Sequence, residues 1–233
     1  MDKLLAGTGR WSRREVKLLV KQGRVLADGV PVPTAETKYD PEAAVLTVDG
    51  ERVCWRAFTW VMLHKPGGYL SATEDGKGAT VLDLLPPELQ NLGLFPVGRL
   101  DKDTEGLLLL TDDGQTAHRL LSPKYHVDKV YYARVSGALK SEDCAAFEAG
   151  MTLGDGLVCQ SAGLEILSSG AQSECLVTLR EGKFHQVKRM LAACGKPVVY
   201  LKRISMGNLS LDPALERGAF RLLTAEEAAA LQK

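Results

Sequence analysis

Between Ser12 and Arg24 the apolar residues Val16, Leu19 and Val20 recur at helical spacing, while Arg13, Lys17, Lys21 and Arg24 run along another side. Leu18 fits neither stripe. Ser12 followed by Glu15 is a capping box, so the pattern predicts a helix that starts near Arg13 and ends at Gly23. Two short β-type runs follow, with Asp28-Gly29 and Asp49-Gly50 as hairpin turns. Residues 51–57 read as a linker. From Phe58 the periods lengthen: strands are predicted at 59–63, 97–100, 107–111, 129–136, 174–179 and 198–204, and helices at 115–121, 142–149, 184–194 and 225–231. The last helix opens on the capping pair Thr224 and Glu227.

Several connections between these strands are too short for helical crossovers, which favours a largely antiparallel sheet with helices packed on it. The fold class expected is therefore α+β, with a small N-terminal α/β module (1–57) and a larger body (58–233) carrying a mixed, mainly antiparallel sheet flanked by helices. No internal repeat or low-complexity tract interrupts either part.

At 45% hydrophobic and 25% charged residues the chain has the make-up of a globular protein, and this excludes a disordered or fibrous one. Arg10, Arg13, Arg14 and Lys17 stand where a signal peptide needs an apolar core, and no apolar run approaches membrane-spanning length, so a cytoplasmic protein without membrane contact is expected. The five cysteines are widely spaced with no C-x-x-C pair, and read as reduced, mostly buried thiols rather than a disulfide framework or zinc site. Net charge is zero, from 29 basic and 29 acidic side chains, which argues against nonspecific coating of nucleic acid. The average hides an asymmetry. Residues 1–24 hold seven basic side chains against Asp2 and Glu15, a local +5 on an otherwise mildly acidic chain. Such an end is the electrostatic footprint of a module that grips phosphates, although a basic stripe is also what a solvated helix face looks like.

The chemistry concentrates in Gly98-Arg99-Leu100-Asp101-Lys102-Asp103-Thr104-Glu105-Gly106-Leu107, where an arginine and three acids share a short loop between apolar runs. A lone loop aspartate is usually a turn former or cap. With Leu108-Leu109-Leu110-Thr111-Asp112-Asp113-Gly114, however, the segment resembles the signature of RNA pseudouridine synthases of the ribosomal small-subunit synthase A type. Lys65-Pro66-Gly67-Gly68-Tyr69, Lys129-Val130-Tyr131 and Glu181-Gly182-Lys183-Phe184-His185-Gln186-Val187-Lys188-Arg189-Met190 match further motifs in the same order. Residues 1 to about 50 resemble the S4-type RNA-binding module through Ser12-Arg13-Arg14-Glu15 and Gln22-Gly23-Arg24-Val25 leading to Asp28-Gly29.

The resemblance implies that Asp101 is the catalytic carboxylate, that Tyr131 stacks on the target base, and that Lys188, often arginine in neighbouring subfamilies, is the basic partner of the aspartate. It also implies ribosomal RNA as the partner, no cofactor and a monomer. The compact ending near Lys233 points to 16S RNA, on a partly assembled particle, rather than to the 23S RNA of large-subunit relatives. Candidate RNA contacts are Arg10, Arg13, Arg14, Lys17, Lys21 and Arg24 in the basic end, and Lys65, Arg99, His185 and Arg189 in the body. Arg99 is open to three uses: orienting a phosphate, filling the place of a flipped nucleotide, or a structural salt bridge.

Elementary chemistry agrees with these roles. Turning uridine into pseudouridine breaks the bond from ribose C1′ to base N1 and rejoins the base through C5, a sequence a carboxylate can serve as nucleophile or base. An aspartate with an ordinary pKa of about 3.9 is ionised at neutral pH, and a neighbouring cation keeps it so. On the helix predicted at 184–194, His185, Lys188 and Arg189 share one face while Val187, Met190, Leu191 and Cys194 form the apolar one. Flipping the nucleotide costs roughly a few kcal/mol, which a stacking aromatic offsets in part. The alternation of strand 129–136 does not decide which face Tyr131 occupies. His64, His118, His126 and His185 show no metal-ligand spacing, and no phosphate-cradling fingerprint occurs, so no metal or nucleotide cofactor is expected. Two rivals remain at this point. A noncatalytic RNA-binding protein would not need the long body, and a carboxylate-pair glycosidase using Asp101, Asp103 and Glu105 would leave the basic end unexplained, with only 6% aromatic residues to build a sugar cleft.

Overall fold

The capping box closes as expected: Ser12 Oγ accepts from the Glu15 amide at 3.3 Å and the Ser12 amide donates to Glu15 Oε2 at 2.7 Å. In this computed structural model, which describes residues 1–40, 43–76 and 78–231, the chain forms two compact units, Met1–Thr59 with Leu85–Leu94, and Trp60–Leu84 with Phe95–Lys233. The chain end at Lys233 lies outside the described residues. In the first unit a five-residue helix α1 (Asp2–Ala6), too short to show a period, precedes α2 (Arg13–Lys21). Val16, Leu19 and Val20 of α2 are buried with Leu5, Val25, Ala27, Leu46 and Val48, each large side chain contributing on the order of 1.5–3 kcal/mol. Leu18 is exposed.

Both Asp-Gly pairs form two-residue turns, with φ 51° and 79° at Asp28-Gly29 and 54° and 81° at Asp49-Gly50, the double positive φ that favours this dipeptide. They join β1 (Val25–Ala27) to β2 (Val30–Pro31) and β3 (Leu46–Val48) to β4 (Glu51–Val53), in a sheet of order β2-β1-β3-β4. The expected linker 51–57 thus begins as a strand. Only Val53 of β4 is buried, and such an exposed, polar edge strand carries no hydrophobic signal. The segment Leu85–Leu94, with the short helix α3 (Pro87–Gln90), groups with this unit rather than with the body.

The second unit is built on one sheet of order β11-β12-β8-β13-β7-β5-β15, formed by β5 (Trp60–Lys65), β7 (Glu105–Thr111), β8 (Lys129–Ser136), β11 (Gly163–Ser168), β12 (Gln172–Leu179), β13 (Val198–Met206) and β15 (Phe220–Leu222). Two short strands join its path, β6 (Phe95–Pro96) on β7 and β14 (Leu209–Ser210) on β13, while β9 (Met151–Thr152) and β10 (Val158–Cys159) form a separate pair. Among the described residues every pairing of these strands is antiparallel except β7 with β13, the mixed, mainly antiparallel sheet expected. Helices α4 (Gly114–Leu121), α5 (Ser141–Ala149), α6 (Gln186–Ala193) and α7 (Ala225–Ala230) flank it. Central β5 and β7 are buried along nearly their whole length, whereas β8 and β12 alternate.

Three readings of the body need correction. Residues 97–100 are not a strand: the ladder stops after the Val97 amide bonds Leu109 O at 2.7 Å, and Gly98 at φ 77° turns the chain away. Helix α6 begins at Gln186 rather than 184, because His185 sits in the left-handed region at φ 50° and cannot continue a helix. The cysteines are all free, but only Cys159 and Cys175 are buried and Cys54 is exposed, so most are not core thiols. Gly106 is required by close approach. A Cβ on Gly106 would lie 2.2 Å from the carbonyl oxygen of Arg203, where β13 runs parallel to β7 and closes the centre of the sheet.

Candidate active site

The loop between β6 and β7 carries Asp101, and its shape is held from below. The Lys65 side chain at the end of β5 is fully buried, and its ammonium donates to the carbonyls of Pro66, Asp101, Lys102 and Thr104 at 2.9–3.2 Å. Gly68 N donates to Lys102 O at 2.7 Å, and Ser71 exchanges hydrogen bonds with Leu100 N and O at 3.1 and 2.9 Å. Lys65, placed among the RNA contacts by sequence, is therefore a clamp on the loop: with all its hydrogen-bonding capacity turned inward it has nothing left for a phosphate. Burial pulls its pKa down from 10.5 to about 8, against the raising effect of Asp103, Asp101 and Glu105.

Asp101 is a quarter exposed, and Lys188 Nζ on α6 lies 2.9 Å from its Oδ2. Lys188 also meets Asp103 Oδ1 at 2.6 Å, so one ammonium bridges two carboxylates of the loop. Burial lowers the Lys188 pKa, but its hydrogen bonds to Asp103 and Asp101 outweigh it and leave the value raised. His185 Nε2 approaches Asp101 Oδ1 at 3.5 Å, and the His185 ring stacks on Phe184 with centroids 3.8 Å apart. Phe184 itself is 74% exposed. The turn before α6 is fixed by Glu181, buried, which accepts from Gln160 N at 2.9 Å and Gln186 Nε2 at 2.6 Å and pairs with Lys183 at 2.9 Å. Val187, Met190 and Leu191 anchor the helix in the core, so Lys188 is presented on a rigid element.

Tyr131 points to the buried face of β8 and lines one cleft of about 980 Å3 together with Asp101, Arg99, His185, Lys129 and Arg203. A smaller recess shares Asp101 and Tyr131 and is lined by Leu179, Val187 and Leu201 beside Arg99, Lys183 and His185, a mixed apolar and polar wall. Arg99 is exposed at this cleft and forms no ion pair among the described residues, which removes the salt-bridge reading for it. Arg189 instead pairs with Asp155, away from Asp101. In the N-terminal unit Arg10, Lys17 and Arg24 pair with Glu51, Glu36 and Asp49, whereas Arg13, Arg14 and Lys21 are exposed with no ion pair among the described residues. Sequence reasoning assigned no role to Lys129, Arg203 or the exposed Phe184. For Lys129 a signal existed, since a strand alternating toward Tyr131, Ala133 and Val135 carries the lysine to the same face.

Residues 59–193, which contain the loop, the tyrosine strand and α6, match the family RNA pseudouridylate synthase. The chain belongs to that family. It is 50% identical over 228 residues, 97% of this chain and 95% of the other, to the uncharacterized RNA pseudouridine synthase YtzG of Bacillus subtilis (strain 168). It is 38% identical over 234 residues, 100% and 99% of the two chains, to the ribosomal small subunit pseudouridine synthase A of Vibrio cholerae. A crystal structure of a pseudouridylate synthase superposes with a TM-score of 0.70 at 34% identity, covering 99% of this chain and 98% of that one. The chain is thus an RNA pseudouridine synthase of the small-subunit synthase A-like kind, an isomerase acting on RNA, and neither a glycosidase nor a noncatalytic RNA-binding protein. Among the described residues no group of His, Cys, Asp and Glu side chains is arranged to hold a metal ion, and no helix is long and apolar enough to cross a membrane.

Proposed function

We propose that this synthase converts one specific uridine of 16S ribosomal RNA to pseudouridine on an assembling small-subunit particle, with Asp101 as the reacting carboxylate, Lys188 as its counter-ion and Tyr131 as the stacking aromatic. The observation that carries the chemistry is Asp101, which lines the cleft with Tyr131 while Lys188 of α6 holds its Oδ2 at 2.9 Å. The end-to-end likeness to the Vibrio cholerae protein supports the small-subunit target. Residues 1–57 act as an S4-like module that holds structured RNA for the catalytic body 58–233, and the exposed, unpaired Arg13, Arg14 and Lys21 suit that role. In the body, Arg99 and His185 hold the RNA around the flipped nucleotide.

Asp101 serves the reaction as an ionised oxygen positioned by Lys188 and by the loop, either adding to C1′ or the base, or removing a sugar proton. The test is release of tritium from C5-labelled uridine, since C5 loses its hydrogen when it bonds C1′. Purified protein with chelator and no cofactor is compared with Asp101→Asn on 16S and 23S RNA and on assembling particles, and the product is mapped. Release from small-subunit RNA by the wild type alone is expected, with turnover in the variant reduced by roughly 10²–10⁴-fold or more and RNA affinity kept. Release confined to 23S RNA would move the target to the large subunit, and activity in Asp101→Asn would remove the carboxylate's role.

A further inference from the structure

Two positive charges in the cleft have no part in the chemistry described so far. Lys129 is 5% exposed and Arg203 2%, and both line the cleft with Asp101 and Tyr131. Lys129 and Tyr131 are two residues apart on β8, hence on one face of the sheet, and Arg203 of β13 stands opposite Tyr131 in register. Arg203 Nε donates to Leu107 O at 2.8 Å, while one terminal guanidinium nitrogen is buried without a partner among the described residues. Lys129 Nζ donates to Val127 O at 3.2 Å. Burial, and then repulsion by Arg203, hold the Lys129 pKa below its ordinary value, and the acid that acts against them, Asp128, is paired at 2.8 Å with Arg180. Two buried cations on neighbouring strands, neither in an ion pair among the described residues, are unfavourable on their own. An acceptor brought by the substrate completes them.

Resting on the reading of Asp101 as the reacting carboxylate, we propose that Arg203 and Lys129 face the carbonyl oxygens of the target uracil, select uracil over cytosine, and stabilise the base as an anion while it is detached from the sugar. When the C1′–N1 bond breaks, its electron pair stays on N1 and the charge spreads to O2 and O4, where buried cations act most strongly. The base must then bring C5 to the place of N1. Half a turn about the N3–C6 axis does this and exchanges O2 with O4, so the same cations meet a carbonyl oxygen before and after. The base's electron pair forms the C5–C1′ bond, C5 gives up its proton and N1 takes one, which leaves an isomer with no atom or electron gained. Cytosine has an amino group where uracil has O4, and would turn a donor toward the cations. A phosphate is the less apt occupant, because a flipped nucleotide carries its base inward and leaves its phosphate toward the mouth, where exposed Arg99 stands.

The test uses full-length protein and RNA carrying uridine, 4-thiouridine or cytidine at the mapped target. In single turnover, Lys129→Met and Arg203→Met should lower the rate roughly 10²–10³-fold with KM changed no more than a few-fold, and Arg203→Lys should recover part of it. Sulfur at position 4 is a weaker acceptor, so the wild type should slow at least tenfold on 4-thiouridine while Lys129→Met loses little more, the signature of a shared interaction. Thermal melts of each variant report folding. If Arg203→Met does not fold, Lys129→Met and the wild type's own discrimination decide: equal binding of cytidine and uridine RNA, or equal rates on 4-thiouridine, would overturn the proposal. So would rates and KM worsening in parallel, as for a phosphate contact. An inactive Asp101→Asn beside a fully active Lys129→Met refutes this inference alone, whereas an active Asp101→Asn refutes the reading beneath it.

Discussion

Replacing Lys65 by methionine isolates what holds the Asp101 loop, because the substitution keeps the length of a buried chain and removes only its donors. Four carbonyls lose their shared ammonium. Those of Asp101 and Lys102 keep second donors, the Thr104 amide at 3.1 Å and the Gly68 amide at 2.7 Å, and Pro66 and Thr104 lose that help. Orphaned buried acceptors cost about 1–3 kcal/mol each, partly offset by no longer desolvating a cation, so a loss of roughly 2–4 kcal/mol is expected at pH 7. The dependence on pH is the sharper signature. The folded value of about 8 lies below the ordinary 10.5, so between them the unfolded chain holds a proton that the native chain does not, and wild-type stability rises with pH. Lys65→Met has no group that titrates there. Urea midpoints for the two proteins from pH 7 to 10.5 should therefore diverge further by up to ~3 kcal/mol above pH 8, other titrations being common to both. A gap that stays flat or narrows in that window would refute the buried-ammonium reading. Turnover should fall more than RNA affinity, since the loop that orients Asp101 loosens while the exposed cations remain.

Gly106→Ala should abolish folding of the body, because the new Cβ would lie 2.2 Å from Arg203 O and the backbone sits at φ 107°; native-like near-ultraviolet circular dichroism in the variant would disprove the close approach. Asp103→Asn should change stability by no more than about 1 kcal/mol, its carboxylate being largely exposed, yet slow turnover by letting Lys188 swing from Asp101. The hydrogen bond from Lys188 holds the Asp103 carboxyl below its ordinary 3.8, so its contribution is full above that pH and fades only as pH falls through the lower folded value; melts showing the gap closing near pH 5 would contradict this. Arg13→Ala with Lys21→Ala should weaken RNA binding and flatten the slope of log K against log salt by about 1.5, whereas an unchanged slope would deny them phosphate contacts.

What the chain's pattern revealed, and what it hid, follows from the range of the interactions. Ser12 with Glu15, Thr224 with Glu227, and the two Asp-Gly turns act within four residues, and each forms where the sequence places it. Strand 129–136 has the bounds read from its pattern, because its alternation is long. Strands β6, β9 and β10 have two residues each and so no period to detect. Residues 97–100 look like a strand because Val97 and Leu100 are apolar and buried, yet they serve a loop. The site divides in the same way. Asp101 stands out through its motif, but the role of Lys65 depends on backbone carbonyls, one adjacent and three some 36 to 39 residues away, and an acceptor common to every residue leaves no mark in a sequence.

Lys65, Lys188, Lys129 and Arg203 are four cations gathered around one loop and cleft, and their surroundings separate their uses. The first is saturated by carbonyls and can only hold shape; the second is shared by Asp101 and Asp103 and sets the direction of the carboxylate. The third and fourth have no ion pair among the described residues, and a buried cation without one is poised for charge that arrives with the substrate. The arrangement separates positive charge that orients the reacting oxygen from positive charge that receives the departing base, so that Lys188 need not release Asp101 when the glycosidic bond breaks. Lys188→Met and Lys129→Met should accordingly differ in kind. The first should impair uridine and 4-thiouridine alike, because it disturbs Asp101 before the base has left. The second should impair uridine most, because it acts on O2 and O4. If both variants respond identically to sulfur at position 4, the separation is wrong and the cations act as one field.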